Sequence, residues 1–148
     1  MFWLLTTFMF FSGTSYVCST AITPEVVQAM KTIIDPVMKE CQQELGLTEE
    51  KLQDLKDKGE VEDKVFCLSG CVFKKLGIFD KNVMVDVEKA SEFHKAYIKD
   101  EAALAEMEKV TKECSKVNEE SVSDGDKGCD RAKLFIKCVK EHKQTTVV

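Results

Sequence analysis

Beyond the first twenty or so residues, apolar side chains recur every three or four positions and almost never alternate, which is a helical pattern along the whole chain. Thr23-Pro24-Glu25 reads as a helix start, with Thr as N-cap, Pro at the first helical position and an acid in the first turn. Val26, Met30, Ile33, Ile34, Val37 and Cys41 then form one stripe, and Gly46 closes the helix. Pro36 interrupts that stripe, which predicts a kink near Asp35 or a split into two helices. Thr48 caps a short charged helix ending near Gly59 and anchored by Leu52 and Leu55. The third helix, from about Asp63 to Leu76, is the most apolar (Val65, Phe66, Leu68, Val72, Phe73) and stops at Gly77. Gly77 to Val85 is an apolar connection with Ile78, Phe79 and Met84, placed to cover a core or line a cavity.

Three more helices are predicted. Val87, Ala90, Phe93 and Tyr97 stripe the segment from Asp86 to Lys99; Leu104, Met107, Val110, Cys114 and Val117 stripe that from Glu101 to Val117. The last, from Cys129 to about His142, carries Ala132, Leu134, Phe135, Cys138 and Val139. Asn118 to Gly128 is polar and turn-rich, a loop by composition. Val147 and Val148 end a short tail that could fold over a pocket or fray. The fold class is all-α, a bundle of about six helices.

The first nineteen residues change the picture of where the chain works. They carry no charged side chain, and their apolar run from Phe2 to Phe11 is too short for the roughly twenty residues of a spanning helix. The segment reads as a signal peptide cleaved after Ser19, with Val17 and Ser19 at its small-residue positions, although Lys and Arg are missing from its start. Residues 20–148 are then one secreted domain. Cleavage removes Cys18 and the one tryptophan, Trp3, so seven cysteines become six, an even number suited to bridges in an oxidising compartment.

Charge narrows the partners. The chain of 148 residues has a net charge of −5, which argues against nucleic acid and against stable insertion in anionic membranes. Arg131 is its one arginine, so bidentate phosphate recognition is poorly provided for. Asp124-Gly125-Asp126 lacks the twelve-residue ligand pattern of a calcium loop, and no metal site or cofactor is indicated. No H-E-x-x-H, G-x-S-x-G or P-loop motif is present, and two histidines leave little for acid–base chemistry, so the chain does not read as an enzyme.

The mature cysteines are Cys41, Cys67, Cys71, Cys114, Cys129 and Cys138, spaced C-x25-C-x3-C-x42-C-x14-C-x8-C. The x3 interval puts Cys67 and Cys71 one helical turn apart on one face, better placed to clamp two neighbouring helices than to pair with each other. Spacing alone leaves fifteen connectivities open. A secreted, acidic, six-helix chain with x3 in the second interval and x8 in the last resembles the insect odorant-binding proteins, the six-cysteine general-odorant and pheromone-binding family. The resemblance implies the interlocked pairs Cys41–Cys71, Cys67–Cys129 and Cys114–Cys138. It also implies a central hydrophobic cavity that holds a small lipophilic odorant or pheromone. An olfactory receptor follows as a further partner, sensillar lymph as the location, and a monomer or weak homodimer as the working form.

On that resemblance the candidate lining is Met30, Ile34, Met38, Phe66, Ser69, Phe73, Leu76, Ile78, Phe79, Met84, Val87, Phe93, Tyr97, Met107, Val110, Leu134 and Phe135. Flexible, polarizable methionine suits a surface that accepts varied apolar shapes. The residues taken by themselves fit ordinary core filling better, and only the resemblance favours a cavity. Ser69 could orient a polar ligand or simply bond back to the Val65 carbonyl. His94 and His142 are candidates for pH-linked release, or else two solvated surface histidines. Two rivals stay open: a carrier of other lipophiles in saliva, venom or reproductive fluid, and a helical secreted signalling factor with no cavity.

Overall fold

A computed structural model describes residues 24–59 and 61–145. The leader (1–19), Thr23, Val147 and Val148 lie outside them. Six α-helices follow one another: α1 Pro24–Glu44, α2 Glu49–Asp57, α3 Val61–Lys75, α4 Val87–Tyr97, α5 Glu101–Cys114 and α6 Cys129–Thr145. A 3₁₀ turn, Ser115–Glu119, continues α5. The helix expected to run on to Val117 thus ends at Cys114 and tightens, and the expected tail is helical as far as Thr145. Local chemistry explains the starts. Thr48, Asp86 and Asp100 each accept a backbone N–H of the first turn, at Lys51, Lys89 and Ala103 respectively. Helix α1 is not split at Pro36, although a split was one of the two outcomes expected there. Pro36 and Thr32 are both exposed, so the Thr32 carbonyl that loses its N–H partner meets water instead of an apolar interior.

The packing closes on itself. Helix α1 lies against α3 and α4, α3 against α6, α6 against α5, and α5 against α4, so five helices form a ring. Helix α2 packs outside it on α3. The closest seam is between α3 and the start of α6. A Cβ placed on Gly70 would lie 2.4 Å from the carbonyl oxygen of Gly128, so a glycine is what lets the two backbones touch. Three disulfides tie the ring: Cys41–Cys71 (α1 to α3), Cys67–Cys129 (α3 to α6) and Cys114–Cys138 (α5 to α6). These are the pairs that the cysteine pattern of the resembled family implies.

The loop from Gly77 to Asp86 plugs one side of the ring. Its Ile78, Phe79, Val83 and Val85 are all buried. Phe79 and Val85 form an isolated antiparallel bridge, and the Asp80 carboxylate accepts the N–H groups of Asn82 and Met84, each at 2.8 Å. Val83 takes a φ of 61°, a conformation that a β-branched residue rarely adopts, and is held there by near-complete burial.

Candidate functional site

Most buried apolar residues among those described fall into two clusters, with Phe66 and Ile98 in neither. The first joins the plug loop to α4, α5 and α6 through Ile78, Phe79, Val85, Ala90, Val110 and Phe135. Its centre is a trio of edge-on aromatic rings, Phe73, Phe79 and Phe135, with centroids 5.1, 5.7 and 5.9 Å apart. The second joins α1, α2 and α3 through Cys41, Leu47, Leu55, Leu68 and Val72, with Ile34, Val37 and Met38 packed on its edge. Leu76 touches both.

This division sorts the expected lining residues. Phe73, Leu76, Ile78, Phe79, Val110 and Phe135 come together in the first cluster, and Ile34 and Met38 meet Leu76 at the second. Met30, Met107 and Leu134 are half-buried and belong to neither. Phe93 and Tyr97 are half-buried against each other on α4, with ring centroids 5.0 Å apart. Met84 is half-buried with its sulfur 3.8 Å from the Arg131 guanidinium. Phe66 is buried beneath the Lys133 ammonium, 5.5 Å from its ring. The Ser69 hydroxyl donates to the Val65 carbonyl at 2.9 Å, so its hydrogen is already engaged within α3.

Polar groups that composition alone left idle hold this framework. Arg131 is 4% exposed, and its guanidinium donates to the carbonyls of Val117 and Glu120, tying α6 to the 3₁₀ turn. Asn118, expected in a loop, gives both ends of its amide to Val85. It accepts the Val85 N–H at 2.8 Å and donates to the Val85 carbonyl at 3.1 Å. Asp124 accepts the Cys129 and Asp130 N–H groups at 2.7 and 3.2 Å, and thereby caps α6. Asp130 in return accepts the N–H and hydroxyl of Ser123, which holds its carboxyl below the usual range. A lone buried arginine and an Asp five residues before a helical cysteine were the available signals.

The histidines separate. His94 is buried, which overturns its reading as a solvated surface group. It lines a cleft of about 230 Å³ between α4 and α5 with Val87, Ser91, Lys95, Glu108 and Thr111, and its Nδ1 has no hydrogen-bond partner. Burial pushes its pKa down, against the weaker pull of Glu108. Glu108 is itself held low by the Ser91 hydroxyl and then by Lys95, 3.2 Å away. His142 stands half-exposed, with Nδ1 3.3 Å from Glu113. The cysteines beside His142 and beside Glu44 are disulfide-bonded and offer no thiolate to a metal. No helix among the described residues is long and apolar enough to cross a membrane.

A ring of helices, laced by three interlocked disulfides around a divided apolar interior, defines a small cystine-bridged helical domain. The family is more specific: a model of the PBP/GOBP family matches residues 23–142, and the chain belongs to that family. In fold it is similar to the odorant-binding protein dmelOBP28a of Drosophila melanogaster. That likeness has a TM-score of 0.55 and 24% identity over 83% of this chain and 99% of the other. No curated protein matches the sequence.

Proposed function

We propose that this chain is a secreted carrier that takes a small hydrophobic odorant or pheromone into the ring of helices and moves it through aqueous lymph to an olfactory receptor. Residues 1–19 serve as its leader, and the bound molecule occupies the space between the two apolar clusters. The observation that carries the reading is the match to the PBP/GOBP family over residues 23–142. Ile34, Met38, Phe73, Leu76, Met107 and Leu134 stay half-buried and keep apolar surface to offer a guest. The likeness in fold to an odorant-binding protein supports the same reading.

The mechanism is passive. Roughly 300 Å² of apolar surface withdrawn from water is worth about 7 kcal/mol, near micromolar affinity before ordering costs are subtracted. With its hydroxyl hydrogen engaged by Val65, Ser69 can offer a guest only an acceptor oxygen. The test is displacement of a fluorescent apolar naphthylamine probe from the disulfide-intact chain. Saturable uptake at low micromolar concentration, reversed by volatile lipophiles, is the expected result. Absence of any saturable uptake would remove the carrier reading.

A further inference from the structure

A second cleft lies outside the ring, where the end of α1, the start of α2, the middle of α3 and the approach to α6 meet. Its volume is about 430 Å³, within the range that holds small-molecule ligands. The disulfide-bonded Cys67, Cys71 and Cys129 line it together with Leu45 and Leu47. Leu45 is 41% exposed, one of three large apolar side chains so exposed among the described residues. Four lysines also line the cleft: Lys51, Lys64, Lys74 and Lys127. The one acid of the lining, Glu44, is already paired with Lys75 at 2.8 Å. The lining therefore sums to 4 − 1 = +3, on a chain whose net charge is −5.

Lys74 donates to the Asp126 carbonyl at 2.9 Å and so holds the loop that forms one wall. Lys51, Lys64 and Lys127 make no ion pair with any described residue, although acids outnumber bases along the chain. Apolar side chains beside cations that have no ion-pair partner among the described residues match one ligand chemistry, a hydrocarbon chain ending in a carboxylate. The chain would lie on Leu45, the cystines and the lysine stems, and the carboxylate would meet the ammonium groups at the rim. We propose that this outer cleft binds an anionic amphiphile of the fatty-acid type, at a site separate from the ring interior and independent of the carrier reading.

Laurate titrated into the isotopically labelled, disulfide-intact chain, with backbone amides followed by NMR, tests this. Saturable shifts are expected at Leu45, Leu47, Lys64 and Lys127. The apparent affinity should fall about tenfold or more in the double variant K64E/K127E, and likewise in wild type at high salt. 1-Dodecanol, which has the same chain without the charge, should leave the cleft amides in place. Unmoved cleft amides overturn the proposal, as do equal shifts with dodecanol or an affinity indifferent to both salt and charge reversal. Laurate shifts confined to Met38, Leu76 and Leu134 also overturn it, while leaving the carrier reading intact. The salt and dodecanol arms use wild-type protein, so the outcome does not depend on the variant folding.

Discussion

His94 shows what burial does to a single group. Above its ordinary pKa of about 6.5 the imidazole is neutral in folded and unfolded chains alike, and its packing is fully stabilising. Its folded pKa is lowered by desolvation, so as pH falls the unfolded chain takes up a proton that the fold resists. The stability is lost as pH drops through the ordinary value toward the lowered one. Urea unfolding at pH 7 and pH 5 should therefore show a smaller acid loss in His94→Gln than in wild type. An equal loss in both would place the acid sensitivity elsewhere. None of this was legible from the sequence, where His94 is one of two isolated histidines and no pattern distinguishes it from His142. Ser69 was more legible: a serine inside a helix has a carbonyl four residues back within reach, and it takes it. Asn118 was not, because its partner Val85 is 33 residues away and only the closed fold brings them together.

Helices were readable where their evidence is local. Caps at Thr48 and Asp86, and the glycine stop at Gly77 with φ 75°, depend on neighbours within a turn. Segments whose conformation answers to distant partners were not. The plug loop holds Val83 in the left-handed region, buried in the first cluster and close to Gly128. Pro36 likewise depends on context, since its cost hinges on whether the carbonyl behind it meets water. The α3–α6 seam yields the prediction at this scale. In Gly70→Ala the new methyl would meet the Gly128 backbone at 2.4 to 2.8 Å, and a backbone cannot swing aside as a side chain tip can. A loss of about 1–3 kcal/mol is expected, in the range of overpacked cores. Alanine there would raise intrinsic helix propensity by about 1 kcal/mol, so an unchanged or higher melting temperature would show that the seam is loose.

Cysteine spacing carried most of what could be known of the whole molecule beforehand, because bridges constrain elements that lie far apart in sequence. The division of the core could not be read this way. Whether Met38 or Leu134 is packed or spare depends on how five helices close, and each stripe taken alone looks like ordinary core. The bridges also differ in protection. Cys41 and Cys114 are fully buried, whereas both partners of Cys67–Cys129 are only half-buried beside the outer cleft. Mild reductant followed by alkylation should label Cys67 and Cys129 first, as peptide mass mapping would show. Losing that bridge, which spans 62 residues, should cost roughly 4 kcal/mol in the chain-entropy model.

The three bridged segments overlap: residues 41–71, 67–129 and 114–138 leave no peptide bond between Cys41 and Cys138 outside a covalent loop. A protease that cuts once anywhere in that stretch opens a loop but frees no fragment, and the two halves stay joined through sulfur. A cut in the loop between Glu120 and Gly128 would thus leave the molecule in one piece, with its helices still joined.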